Sequence, residues 1–206
     1  MTIADRLTPE RTALVLLAAG RSARFGFSDK LAAPFLGQPL CFHVVTALSA
    51  VPFCTRIAVC DGGALDYAGR GYQIVINDHP EAGASSSVRL GVRAARTSGC
   101  DAVLLALADM PRVTAAQVYR LFDAAAGAGT VVASSDGTSP RPPALFGAAH
   151  LDALEALEGD QGARHLILAG RHVVTSADEL VDVDTERDLA DLQRRFGRAQ
   201  DLEKDA

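Results

Sequence analysis

Thr12-Ala13-Leu14-Val15-Leu16-Leu17-Ala18 is apolar almost from end to end, with no alternation between apolar and polar positions. A strand with one face in water alternates with a period of two. An unbroken apolar run instead belongs to a strand covered on both faces, as parallel strands are beneath crossover helices. Ala102-Val103-Leu104-Leu105-Ala106-Leu107 repeats the pattern. Two such strands commit the chain to layers, with helices on both sides of a sheet.

The segments between and around them fill in that plan. Apolar residues at helical spacing, including Val44, Val45 and Leu48, predict a helix over residues 40–51, stopped by Pro52. Residues 56–61 and 73–77 read as short strands. The Ser85-Ser86-Ser87 cluster reads as the cap that opens a helix carrying Val88, Val92 and Ala95. Thr114 followed by Gln117 has the spacing of a capping box. Residues 130–134 and 142–146 are expected to be extended, and Leu151, Leu154 and Leu157 to mark a helix face. Val173-Val174 and residues 180–183 read as late short strands, and Thr185 as the cap of a last helix ending at Phe196. Strands alternating with helices predict a Rossmann-like three-layer α/β/α sandwich with a mostly parallel sheet, which takes its ligands at the carboxyl ends of the strands.

With 206 residues the chain fits one domain of ordinary size. The expected organisation is a flexible N-terminal segment over 1–11, one domain over 12–196 and a charged tail over 197–206. A formal net charge of -5 offers no basic face for nucleic acid, so any anion must be met locally. No stretch approaches the roughly 18 to 20 apolar residues of a membrane span. Asp5 and Glu10 interrupt the N-terminus, and the expectation is a soluble, cytoplasmic protein. Cys41, Cys54, Cys60 and Cys100 form no CxxC pair and are read as buried thiols. The histidines lack the HExxH spacing of a zinc site.

Residues 17–30 follow the first strand directly, where a doubly wound sheet places its nucleotide. The small Ala18, Ala19 and Gly20 let backbone amides approach a ligand, and Arg24 and Lys30 supply two cations for a triphosphate. The segment is not GxGxxG, having only Gly20 and Gly26. It is not the P-loop either, because no Gly-Lys-Ser/Thr follows. Asp109 stands just past the strand ending at Leu107, with Pro111 forcing a turn behind it. A carboxylate there suits Mg²⁺, which needs only one or two protein carboxylates beside phosphate oxygens and water. The second carboxylate is sought in Val181-Asp182-Val183-Asp184, whose alternation, if extended, points both acids to one side.

Leu17-Ala18-Ala19-Gly20, Arg24-Phe25-Gly26 and Asp29-Lys30 together resemble the signature of the MobA-like nucleotidyltransferases. Within that group the chain is most similar to the molybdenum cofactor cytidylyltransferase type. The similarity runs on through Gly83–Ser87, Ala108–Pro111, Pro142–Phe146, Gly159–Arg164 and Val181–Thr185. The resemblance implies that Leu17, Ala18, Ala19 and Gly20 bind the nucleotide, with the backbone reading the base. It implies that Ser86 or Ser87 lies near the nucleoside, that Arg24, Lys30 and Asp109 are catalytic, and that Asp109 and Asp184 hold Mg²⁺. Relatives that use GTP commonly carry Leu-Ala-Gly-Gly at this place. The extra methyl of Ala19 narrows the space for a purine, so CTP is expected over GTP.

The implied reaction is in-line transfer of CMP to a phosphate-bearing acceptor, a molybdopterin-type cofactor, with release of pyrophosphate and delivery of the product to a molybdoenzyme. Arg141-Pro142-Pro143 and residues 159–164 are the candidates for meeting the acceptor, with Arg164 facing its phosphate. The competing readings are a GTP-dependent guanylyltransferase, a sugar-phosphate or polyol-phosphate nucleotidyltransferase, and a non-catalytic accessory protein that binds nucleotide or cofactor.

Overall fold

The computed structural model describes residues 6–20, 25 and 29–197. In chain order the strands and helices are β1 Thr12–Ala18, β2 Pro34–Phe35, β3 Gln38–Pro39, α1 Cys41–Ala47, β4 Thr55–Cys60, β5 Gln73–Ile76, α2 Ala84–Thr97 and β6 Ala102–Leu107. There follow α3 Ala115–Asp123, β7 Val131–Ser135, β8 Pro140–Gly147, α4 Leu151–Glu155, α5 Arg164–Ala169, β9 Arg171–Val174 and α6 Glu186–Phe196. The main sheet has the order β5-β4-β1-β6-β8-β7-β9, and β2 pairs with β3 in a small separate hairpin. β1 runs parallel to both β4 and β6, while β8 is antiparallel to its two neighbours.

The unbroken apolar runs are explained by burial on two sides. Leu14 and Leu16 of β1 and Leu104 and Ala106 of β6 face a core covered by α1 and α3. Val15, Val103 and Leu105 face the opposite core, closed by α2, α4 and α5. α2 lies so close to the sheet that a Cβ at Gly91 would stand 2.3 Å from Val15 Cγ1. A third cluster joins Phe25, Phe35 and Leu40 to Val183, Leu189 and Leu192, tying the hairpin to α6. From β1 the chain builds outward to β4 and β5, then crosses back through α2 to β6 on the other side. That reversal opens a crevice beyond the carboxyl ends of β1 and β6.

The fold departs from the sequence expectations at several places. Residues 180–183 form no strand. Ser176 caps a 3-10 turn over Ala177–Leu180, after which Val183 turns into the third core cluster rather than a ladder. The serine cluster does not cap α2: Gly83, at φ +89°, is the N-cap, and the three serines occupy the first turn. Thr114 accepts a hydrogen bond from the Gln117 amide as expected, but the Gln117 side chain turns inward to Ser134. Cys54 is exposed, with its sulfur 2.8 Å from that of Cys100. α5 and the hairpin had no sequence counterpart. At the other end, Leu7 is already buried, and Thr185 caps α6 through a complete capping box with Asp188.

Gly91→Val forces two branched side chains into one space beneath α2. Overpacking of this kind costs about 1–3 kcal/mol. The expected result is a fall of several degrees in Tm, and an unchanged Tm would show that α2 can move off the sheet freely.

Candidate active site

The turn after β1 carries Leu17, Ala18, Ala19 and Gly20 to the mouth of the crevice; all four line a compartment of about 130 Å³ that also touches Lys30, Ser87 and Asp109. Among the described residues no atom lies within 4 Å of where a Cβ would stand on Gly20, so none of them blocks a ligand from the backbone there. Arg24 lies outside the described residues.

Lys30 enters from a 3-10 turn over Lys30–Ala32, which Asp29 caps by accepting a hydrogen bond from the Leu31 amide. Its buried ammonium donates to Asp109 Oδ2 at 2.6 Å and to Asp184 Oδ1 at 3.2 Å. Asp109 is set by the end of β6, since Ala108 donates its amide to the Leu17 carbonyl. The Val183 amide in turn donates to the Asp109 carbonyl, bringing residues 182–184 alongside. Asp184 is therefore fixed by a single backbone bond and the start of α6, not by a strand. The two acids in this segment part ways: Asp184 shares Lys30 with Asp109, whereas Asp182 pairs with Arg141 at 3.4 Å.

Burial works against the Lys30 charge, but the two carboxylates outweigh it and hold the pKa above the ordinary lysine value. At Asp109 burial dominates and pushes the pKa above 3.8, against the pull of Lys30 and with a further push from Asp182 and Asp184. Asp109 Oδ1 is buried and has no hydrogen-bond partner among the described residues. An orphaned carboxylate oxygen beside a second carboxylate, both within reach of one ammonium, is a donor set that fits a hard divalent cation. Among the described residues no group of three or more His, Cys, Asp or Glu could hold a metal, so phosphate oxygens and water would complete the shell.

A larger cavity of about 520 Å³ adjoins the first, sharing Leu17, Ala84 and Leu107 with it. Arg141, Pro142 and residues 160–164 line it over a floor that includes Val88, Leu105 and Ile167. Two sequence segments singled out for an acceptor are thus brought together. The Ser85 hydroxyl donates to the Glu158 carbonyl and Arg89 to that of Leu157, fastening this loop to α2. A Cβ on Gly83 would meet Asp160 Oδ1 at 2.2 Å, so only glycine allows the approach.

Sequence reasoning missed Asn77, which is buried at the end of β5 and donates to both Ser86 and Ser87 at 2.9 Å. Only its place as the last residue of an expected strand marked it. The pairing of Arg141 with Asp182, 41 residues apart, left no sign in the sequence.

A sequence description of the MobA-like NTP transferase domain matches residues 14–174. Purine catabolism protein PucB of Bacillus subtilis is 31% identical over 198 residues, covering 88% of this chain and 95% of that protein. Molybdenum cofactor guanylyltransferase of Cereibacter sphaeroides is 31% identical over 159 residues, covering 77% and 80%. A solved nucleotidyl transferase from Methanothermobacter thermautotroptrophicus superposes with a TM-score of 0.77 at 26% identity, covering 92% of this chain and 99% of that one.

Lys30→Met leaves the Asp109 carboxylate buried without its cation, a loss of about 3–5 kcal/mol near neutral pH. A carboxyl whose pKa is raised by folding destabilises most when ionised. The penalty is therefore full above its folded pKa and shrinks as pH falls through that value towards 3.8. The Tm gap between variant and wild type should be widest at pH 7 to 8 and narrow on acidification. A gap that widens instead would refute the charge pairing.

Proposed function

The chain is a nucleotidyltransferase belonging to the MobA-like NTP transferase family, and from that premise we propose that it transfers CMP from CTP to a molybdopterin-type acceptor, releasing pyrophosphate. The observation that carries this reading is the meeting, at the ends of β1 and β6, of an amide-lined turn, the Lys30–Asp109–Asp184 cluster and a second, partly basic cavity.

In the reaction, an oxygen of the acceptor phosphate attacks the α-phosphorus of the nucleotide. The bond from that phosphorus to the oxygen bridging it to the β-phosphate breaks, and pyrophosphate leaves with the electron pair. A phosphate nucleophile is already ionised near neutral pH, so no general base is needed. Asp109 and Asp184 would hold Mg²⁺, which would supply positive charge beside the reacting phosphates. Lys30, together with Arg24, provides cations that neutralise charge developing on the leaving group. Leu17 to Gly20 seat the base through backbone groups. Arg141 and Arg164 flank the larger cavity, where they meet the phosphate of the acceptor while its apolar floor takes the flat part.

Cytosine is favoured by the size of the compartment at Ala18 and Ala19. The Ala19 methyl, at the place where relatives that use GTP carry glycine, narrows the space for a two-ring base. A second reading, transfer of GMP, is favoured by the relative that bears the name guanylyltransferase at 31% identity.

A thermal-shift comparison of CTP, GTP, ATP and UTP with Mg²⁺ separates the two. CTP should give the largest rise in Tm, and a larger rise with GTP overturns the cytosine assignment. With CTP, Mg²⁺ and acceptor, Asp109→Ala and Lys30→Ala should lower pyrophosphate release at least roughly 100-fold. Nucleotide binding with no pyrophosphate release from the wild type would mean an accessory protein, and normal turnover by either variant would remove the proposed site.

A further inference from the structure

Asn77 stands outside the residues assigned so far, yet its amide controls two hydroxyls at the mouth of the site. Its backbone amide continues the ladder by donating to the Cys60 carbonyl, which fixes the side chain at the carboxyl end of β5. The His79 amide donates to Asn77 Oδ1 at 3.1 Å, so the side-chain oxygen faces that turn and the nitrogen faces α2. Asn77 Nδ2 then donates to Ser86 Oγ and to Ser87 Oγ, both at 2.9 Å. All three side chains are 5% exposed or less.

The two serines end in different states. Ser86 accepts from Asn77 and passes its own hydrogen to the Gly83 carbonyl at 2.8 Å, so its donor is spent within the protein. Ser87 also accepts from Asn77, but none of the described residues accepts its hydrogen. Ser87 lines the compartment formed by Ala18, Ala19 and Gly20, and Ser86 does not. A hydroxyl carries one hydrogen. With the Asn77 amide on one of its two lone pairs, Ser87 keeps its hydrogen for an acceptor on the ligand.

We propose that Asn77 is a positioning residue that fixes Ser87 as a hydrogen-bond donor to an acceptor atom of the bound nucleotide. The inference rests on the nucleotide-binding reading above. It further selects Ser87 over Ser86 as the serine that touches ligand. An amide at position 77 is required rather than any polar group, because a carboxylate can only accept. In Asn77→Asp both serine hydrogens turn towards the new carboxylate, and Ser87 offers lone pairs to a ligand that needs a donor.

The test measures Kd for CTP with Mg²⁺ by calorimetry in wild type, Asn77→Asp, Asn77→Ala, Ser87→Ala and the Asn77→Asp/Ser87→Ala double variant. Asn77→Asp and Ser87→Ala should each weaken binding roughly 10- to 100-fold, the range expected when a buried polar contact is lost. The double variant should be no worse than the weaker single one, and Asn77→Asp should bind less tightly than Asn77→Ala. Turnover should show the loss in KM for the nucleotide with kcat held. Inorganic tripolyphosphate as a second probe locates the acceptor: an unchanged Kd places it on the nucleoside, and a parallel loss places it on the phosphates.

Wild-type affinity in Ser87→Ala, or losses that multiply in the double variant, would overturn the inference. If Asn77→Asp does not fold, Asn77→Ala decides, and binding as tight as wild type in that variant refutes the positioning role. Failure of the wild type to bind CTP, GTP, ATP or UTP would instead sink the functional reading, and this inference with it.

Discussion

Burial of β1 and β6 on both faces is the constraint from which the rest of the structure follows. Side chains that leave these strands alternately up and down meet helices on either side, so no polar function can be carried along their length. Chemistry is pushed to the strand ends. Because β1, β4 and β6 are parallel, their carboxyl ends lie along one edge. The reversal of strand order between β4 and β6 leaves a gap there that the chain does not cross. The turn after β1 and the carboxylate after β6 are neighbours for this reason alone.

At that edge the dominant energy is electrostatic. A buried ammonium between two carboxylates recovers in mutual attraction and hydrogen bonds part of what the groups lose in leaving water: attraction prevails at Lys30, burial at Asp109. The balance is uneven: with Asp109 and Asp184 both ionised, Lys30 leaves the trio with one negative charge in excess, and Asp109 keeps one oxygen without a partner among the described residues. A cation held beside the carboxylates would relieve both features at once, and it would compete with Lys30 for the same oxygens.

Much of this was legible in the sequence where burial writes a pattern. β1 and β6 announced themselves by apolar runs without alternation, and Asp109 by its place just past one of them. Thr185 was legible as a cap because capping depends on residues three apart. What escaped was set by contacts with no local signature. α5 buries only Ile167 and therefore has no apolar stripe to detect. Residues 180–183 alternate like a strand, yet that alternation reports packing against Phe35 and Leu40, not a ladder. Asp184 was chosen for its likeness to a family pattern, whereas its geometry comes from one amide bond to Asp109. Asn77 reaches its partners across a turn, a separation that no periodicity marks.

The two compartments divide recognition between different physical devices. Around Leu17 to Gly20 the walls are backbone and methyl groups, so discrimination there acts through shape and through fixed amide dipoles, which do not vary with side-chain rotamer. Around Arg141, near the start of β8, and Arg164, at the start of α5, the walls are side chains; Asp182 holds Arg141, and hydrogen bonds from α2 hold the loop over residues 157–163. Loops of this kind accept substitution without disturbing the sheet. A fold built this way can vary the rim of the larger compartment while keeping the smaller one, because that rim lies outside the core. The residues that line both compartments, Leu17, Ala84 and Leu107, are the exception. Leu17 and Leu107 sit at the ends of the two central strands and Ala84 opens α2, so a change at any of them alters the sheet or its covering helix together with both compartments.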